Sequence, residues 1–206
     1  MSLDTTQLIA LAAALGWASG LRLYSVVFLT GLVGWLGWVQ LPSGLHVLQH
    51  PVVLGASGLM LAVEFFADKI PGLDTVWDAV HTFIRIPAGM ALAAGVFGGD
   101  SAAWTTIAAL LGGTLAATSH AAKATTRAAA NTSPEPFSNV GLSLLGDAAV
   151  PTMLWLAVSH PLWFFVALAV SLLLMVVVIV LLFKFLRGML RAWRTRWSPH
   201  VGSPTA

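Results

Sequence analysis

The feature that most constrains this chain is a long apolar run near its carboxy terminus, PLWFFVALAVSLLLMVVVIVLLF, which covers residues 161–183 without a charged side chain. A run of that length matches the ~20 apolar residues that an α-helix needs to cross a bilayer. Similar runs recur through the 206 residues, and only 9% of the sequence is charged. Soluble domains carry about 25% charged residues. The sequence therefore excludes a water-soluble fold and predicts one all-α membrane domain over residues 1–187, followed by a basic tail over 188–206.

The distribution of the apolar runs predicts a polytopic bundle of about six transmembrane helices. The first span lies within residues 6–39, and the others cover about 51–68, 79–97, 101–119, 139–158 and 161–186. A straight helix over the first segment would be roughly 50 Å long, against a hydrocarbon core of roughly 30 Å. We therefore expect that segment either to protrude at a steep tilt or to break near Arg22. Short matching stretches, such as ADKIP and GDAAVP, also suggest the hypothesis of two three-helix repeats.

The basic residues predict how the bundle is oriented. Five of the ten Lys and Arg residues fall between 184 and 196, directly after the last apolar run. Such a cluster is typical of a cytoplasmic anchor at an anionic lipid surface, and it needs no nucleic acid to explain it. The loops predicted on the other side, QLPSGLHVLQH, GGDS and SHP, contain no Lys or Arg. Six crossings then predict a multi-pass membrane protein with both termini in the cytoplasm, whose partners include the bilayer and its anionic lipids.

Four ionisable residues fall within or beside the apolar spans, where an unpaired charge is costly. They are Arg22, Glu64, Asp68 and Asp147. Glu64 and Asp68 are four residues apart and therefore share one helix face. We expect Arg22 to pair with one of these two carboxylates. The set fits either a substrate or proton site within the membrane or a structural ion pair that holds the helices in register.

A first polar stripe lies in ADKIPGLDTVWDAVHTFIRIPAG, residues 67–89. Asp74, Asp78, His81 and Arg85 follow the spacing of a single helix face. Two carboxylates and an imidazole can bind a divalent cation or act in acid/base chemistry, and Arg85 can hold an anion. The same spacing is typical of ordinary surface pairs, and Asp74 suits a helix N-cap. We therefore predict neither a metal ligand nor a catalytic residue here.

A second polar stripe lies in HAAKATTRAAANTSPEPFSN, residues 120–139. His120, Lys123 and Arg127 share one helix face and can bind a phosphate or carboxylate. The alternative is a solvated helix end whose cations follow the positive-inside rule. Because both stripes are predicted on the same side, we expect them to face each other across one cytoplasm-facing vestibule. The candidate substrate-binding residues are Arg22, Glu64, Asp68, Asp74, Asp78, His81, Arg85, His120, Lys123, Arg127 and Asp147.

Three stretches together resemble a known family. EFFADKIPGLDTVWDAVHTFIRIPAG, HAAKATTRAAANTSPEPFSN and the early SGLRLY are similar to a bacterial integral-membrane family catalogued as domain of unknown function four-one-two-six. The resemblance extends from about residue 7 to residue 180 and leaves the basic tail outside it. It implies a multi-helix inner-membrane protein, and it brings no activity, substrate or catalytic residue with it.

The sequence favours a permease-like or flippase-like protein that binds or moves a small or lipid-linked anionic compound. Two other classes stay open: a membrane-embedded enzyme that acts on a lipid headgroup through Asp74, Asp78 and His81, and a non-catalytic scaffold or assembly factor. The absence of cysteine excludes thiolate chemistry, and no phosphate-binding loop, zinc-protease signature or dinucleotide fingerprint occurs. We therefore expect no cofactor and favour a protein that is not an enzyme.

Overall fold

The computed structural model describes residues 3–70, 72–99, 101–132 and 136–196. All of the regular structure within these ranges is helical, and they contain no strand. The elements are α1 (Thr5–Trp35), a 3₁₀ helix (Ser43–Gln49), α2 (Pro51–Ala67), α3 (Leu73–Val96), α4 (Ala102–Ala130), α5 (Pro136–Ser159) and α6 (Pro161–Arg196). The all-α helical bundle is therefore confirmed.

Helices occupy each predicted span, although they are not equally suited to crossing a membrane. α1, α3, α5 and α6 are each long and apolar enough to do so. The 3₁₀ helix and α2 meet at a bend of 69° and together form a fifth candidate. α4 has 29 residues, yet it is rich in Ala, Thr and Gly. The described residues thus supply four or five spans by length and composition, where six were predicted. The two three-helix repeats stay a prediction.

The surface of the last helix, α6, is apolar and suited to contact with lipid. Large apolar side chains along it, including Leu173, Leu181 and Phe183, are exposed in the isolated chain. α6 runs without interruption to Arg196, so the predicted domain boundary after residue 187 falls within this helix. The remainder of the predicted basic tail, residues 197–206, lies outside the described residues.

Helix α1 begins with a capping box and breaks in its middle. The Asp4 carboxylate accepts a hydrogen bond from the backbone N–H of Gln7, and the Gln7 side chain accepts one from the Asp4 backbone. These bonds satisfy donors that a helix start leaves unpaired. Arg22 then adopts φ −145° and ψ 75°, which are not helical angles. Of the two expected forms of this segment, the structure has the broken one.

The first half of α1 runs in the same direction as α4. A Cβ atom on Gly16 would lie only 2.5 Å from the Cα atom of Gly112, so these backbones touch. Five residues later, the carbonyl oxygen of Leu21 accepts a hydrogen bond from the Nζ of Lys123, farther along α4. The start of α1 therefore points to the end of the bundle where α4 begins.

The second half of α1 returns toward that same end. Gly34 packs against the side chain of Leu41, which leads into the 3₁₀ helix. In that 3₁₀ helix, Gly44 touches the backbone of Gly95 close to the end of α3. Both ends of α1 thus lie beside the α3–α4 connection, and Arg22 lies at the far turn between its two halves.

This bend changes the predicted topology. The amide nitrogen of the Gln7 side chain donates a hydrogen bond to the carbonyl of Val158, 2.6 Å away, at the end of α5. Gln7 therefore lies at the end of the bundle that holds the α5–α6 connection, whereas α6 runs from there toward the opposite end. The start of α1 and the end of α6 therefore lie at opposite ends of the described bundle, because the bend at Arg22 divides α1 into two segments. The orientation of the termini relative to a membrane stays a prediction.

Glycines allow α1, α3 and α4 to pack closely at one level. A Cβ atom on Gly112 would lie 2.5 Å from the carbonyl oxygen of Gly89, and one on Gly89 would lie 2.7 Å from the Ala116 Cβ. With Gly16 on α1, the three backbones meet almost without side chains between them. Such small residues are the usual means of close helix packing in membranes. The contact fixes the height at which the charged side chains of these helices meet.

Candidate anion-binding site

Ten charged side chains gather at one end of the bundle, which we call the charged end, around the α2–α3 connection and the last turns of α4. Among the described residues, ten ionic contacts connect five carboxylates with five cations drawn from five helices and the α2–α3 connection. The carboxylates are Glu64, Asp68, Asp74, Asp78 and Asp147, and the cations are Arg22, Lys69, Arg85, Lys123 and Arg127. Because the formal charges balance, the network is electrically neutral when all of its members are ionised.

Asp68 is the centre of this network. Its carboxylate lies 2.8 Å from Nη1 of Arg22, 3.0 Å from Nζ of Lys123 and 3.1 Å from Nη1 of Arg127. The Asp68 side chain is fully buried, and no more than 9% of any of these three cationic side chains is exposed. Burial of this kind is tolerated only because each charge has partners of the opposite sign.

Arg22 lies at the bend of α1 and joins three helices. Its other terminal nitrogen, Nη2, lies 2.9 Å from Asp147 and donates to the Oγ and the carbonyl oxygen of Ser143, both on α5. The planar guanidinium has donors in a fixed fork, which suits such bridging. The predicted pairing of Arg22 with a carboxylate of the second span is thus seen with Asp68. Glu64 contributes its carbonyl to Arg22, while its carboxylate binds Arg85 at 2.7 Å.

The two predicted stripes face each other, but they do so in direct contact. Asp78 of α3 lies 2.8 Å from Arg85 and 3.0 Å from Lys123, and Asp74 lies 3.5 Å from Arg127. Asp74, Asp78, Arg85 and Arg127 are buried, and the Lys123 side chain is 9% exposed. The two stripes thus neutralise each other through closed ion pairs, since complementary charges on adjacent helices bind one another in preference to water. A vestibule that opens to the cytoplasm stays a prediction.

The two histidines of the stripes form hydrogen bonds with neighbouring residues. The Nδ1 of His81 donates to the carbonyl of Trp77 at 2.8 Å, so its Nε2 accepts from the hydroxyl of Tyr24 when the ring is neutral. The ring also stacks on the indole of Trp77. The Nε2 of His120 shares a hydrogen bond with the hydroxyl of Thr82 at 2.7 Å. Within the described part of the chain, no three acidic or histidine side chains are arranged to hold a metal ion.

A cavity of about 320 Å³ opens beside this network, between α1, α4, α5 and α6. Its surface is almost entirely apolar, although several polar side chains border it. The polar residues in the lining include Arg22, Asp68, Lys123, Arg127 and Ser143, and the apolar walls include Trp17, Leu21, Leu142, Leu145, Ala149, Leu174, Met175 and Val178. Ligand cavities in proteins usually measure roughly 300–1,000 Å³, so this one suits a small group or part of a larger molecule.

The cavity unites only part of the predicted site. Arg22, Asp68, Lys123 and Arg127 line it, whereas Glu64, Asp74, Asp78, His81, Arg85, His120 and Asp147 are not among its lining residues. Sequence analysis missed Ser143 and the apolar walls from α5 and α6, because nothing in an apolar run marks which face borders a void. Three cations at the base of an apolar cavity can bind an anionic group whose remainder is hydrocarbon.

Comparisons with known proteins identify a family for this chain but assign it no function. The model of a family described as Domain of unknown function (DUF4126) matches residues 9–181. No curated protein and no solved structure matches the chain.

Proposed function

The chain belongs to the DUF4126 family, and from the geometry of its cavity we propose that it binds an anionic amphiphile and moves it within the bacterial inner membrane. In this permease-like or flippase-like role, the anionic head contacts Arg22, Lys123 and Arg127. The hydrocarbon part follows the apolar walls that α5 and α6 provide. The ligand is thus a lipid-linked compound in preference to a fully water-soluble one.

The single observation that supports this proposal is the union of three buried cations with apolar walls in one cavity. A water-soluble anion gains nothing from walls such as Leu145 and Leu174, while an acyl chain would gain about 0.8 kcal/mol for each buried methylene group. A neutral lipid, in turn, gains nothing from the three cations that border the cavity. Only a molecule with both parts uses the whole cavity.

The enzyme alternative receives less support from the geometry. It needs Asp74, Asp78 and His81 to be available to a substrate. Both carboxylates are bound to cations of α3 or α4, and the His81 ring is bound by Trp77 and Tyr24. Binding and movement of an anion therefore remain the better explanation of the charged residues.

The proposed orientation places the charged end in the cytoplasm. The basic residues of α6, among them the exposed Lys184 and Arg187, lie toward this end and would contact anionic lipids there. The other end contains the start of α1, the 3₁₀ helix and the α5–α6 connection, and no Lys or Arg occurs before Arg22. The positive-inside rule thus supports an amino terminus on the outer face.

Native mass spectrometry of the protein in mild detergent tests the binding step. We expect phosphatidylglycerol, which is anionic, to bind in preference to zwitterionic phosphatidylcholine. Its deacylated headgroup, glycerophosphoglycerol, distinguishes a lipid from a soluble ligand and should bind far more weakly. Equal binding of both lipids, or binding of the soluble headgroup as tight as that of the lipid, would contradict the proposal.

A pair of neighbouring substitutions on α5 links binding to the cavity. Ala149 lines the cavity, whereas Ala148 is exposed on the outside of the same helix. Ala149→Phe should fill the cavity and abolish the preference for phosphatidylglycerol, and Ala148→Phe should preserve it. Movement is then measured in proteoliposomes, as the rate at which a fluorescent phosphatidylglycerol of the inner leaflet becomes accessible to an impermeant quencher.

A further inference from the structure

Asp68 occupies the position that an anionic ligand would need. Three cations, Arg22, Lys123 and Arg127, line the cavity together with Asp68, and the Asp68 carboxylate binds all three of them. An anion that entered the cavity would therefore meet cations whose charge is already neutralised by a carboxylate of the protein itself.

The charge balance of the network also opposes the binding of a further anion. The network is neutral with five carboxylates and five cations, so a further anion would leave an uncompensated negative charge among buried groups. Such a charge is strongly unfavourable. The balance is kept when one carboxylate of the network withdraws as a ligand with a single negative charge binds.

We propose that Asp68 is a tethered competitor, which holds the cavity cations while the cavity is empty and is displaced when an anionic head binds. This inference rests on the proposed function and adds the residue that controls binding. The charged groups around Asp68 are Arg22 on α1, Lys123 and Arg127 on α4, Arg85 and Asp78 on α3, Asp74 through Arg127, Asp147 on α5 through Arg22, and Lys69 through Asp147.

The position of Asp68 in the chain suits displacement. It is the C-cap residue of α2, so its side chain can withdraw without breaking a helix in its middle. Four residues later Gly72 has φ +86°, a conformation that glycine adopts at little cost, and it precedes α3. The carboxylate thus lies at the junction between two helices.

Lipid titration of the purified protein tests this inference. Phosphatidylglycerol serves as the probe because its phosphodiester carries one negative charge. In Asp68→Asn, the affinity for this lipid should rise by about tenfold over that of the native protein, a typical coupling between two competing groups.

Asp147→Asn is the matched control. It removes another carboxylate that binds Arg22, but Asp147 is not among the residues that line the cavity. Because it removes the same charge from the network but not from the cavity lining, its affinity for phosphatidylglycerol should rise less than that of Asp68→Asn. A folded Asp68→Asn protein with unchanged or weaker affinity would overturn the inference.

Asp68→Ser provides a second route if Asp68→Asn does not fold. It also removes the carboxylate and should raise the affinity for phosphatidylglycerol. An unchanged affinity would overturn the role of Asp68 while leaving the proposed function intact. Failure of the native protein to bind the lipid would instead contradict the proposed function, and the inference with it.

Discussion

Lys123 of α4 donates a hydrogen bond to the carbonyl oxygen of Leu21, with an N–O distance of 3.1 Å, at the turn where α1 loses its helical angles. The same ammonium group lies 3.0 Å from Asp68 and 3.0 Å from Asp78. One side chain therefore caps the first half of α1 and joins it to α2 and α3. The break in α1 and the ion-pair network are parts of a single arrangement.

Removal of that ammonium group should destabilise the protein strongly. We expect Lys123→Met, which keeps the length of the side chain, to lower the free energy of unfolding by roughly 3 kcal/mol, because two buried carboxylates lose a cation. Lys69→Met is the control, since Lys69 is more exposed and has one carboxylate partner, Asp147. Thermal unfolding in mild detergent measures both, and equal unfolding temperatures for the two variants would contradict this prediction.

The glycine contact between α3 and α4 should also be sensitive to a single methyl group. In Gly112→Ala the new Cβ atom would collide with the Gly89 carbonyl, so we expect a loss of about 1–3 kcal/mol. Gly55→Ala on α2 is the control, because a Cβ atom there meets nothing within 4 Å. It should stabilise the protein slightly through the better helix propensity of alanine. A Gly112→Ala protein as stable as the Gly55→Ala protein would show that these backbones are farther apart.

The bend in α1 predicts which residues are accessible from outside the cell. The chain contains no cysteine, so single cysteines can be introduced and labelled with an impermeant maleimide on intact cells. We expect Thr5→Cys and Ser43→Cys to react, because both lie at the end of the bundle opposite the charged end. Gly72→Cys should react only after the membrane is permeabilised.

The outcome separates the two arrangements of α1. Reaction of Ser43→Cys without Thr5→Cys would mean that α1 crosses the membrane once, as one continuous span. Reaction of Gly72→Cys alone on intact cells would mean that the whole bundle has the reverse orientation.

The fold class could be predicted from sequence because it depends on features that a sequence displays directly. Apolar runs of this length are typical of membrane-spanning helices, and the helices lie where these runs predict them. The break near Arg22 could also be anticipated, since a straight helix of that length does not fit a bilayer. Its consequence could not, because whether a broken helix continues or turns back depends on contacts such as that between Gln7 and Val158.

The charged residues of the site could be predicted from the sequence more fully than their arrangement in space. A buried Arg22 requires a carboxylate, and that cost predicted a pairing with Glu64 or Asp68, of which the structure shows Asp68. That the two stripes would close into direct ion pairs depends on how near the glycines bring α3 and α4. The cavity was not predictable, because its walls come from apolar helix faces whose sequence does not differ from that of lipid-facing surfaces.

Photocrosslinking in proteoliposomes tests most directly whether the cavity holds the ligand. A phosphatidylglycerol with a diazirine in its acyl chain is activated by light, and the modified residues are mapped by mass spectrometry. We predict labels concentrated on the cavity walls, at Leu145, Leu174 and Val178, and lost in Ala149→Phe but retained in Ala148→Phe. Labels spread evenly over the outer face of α6, including Leu173 and Leu181, and unchanged in Ala149→Phe would contradict the binding of an anionic amphiphile in this cavity.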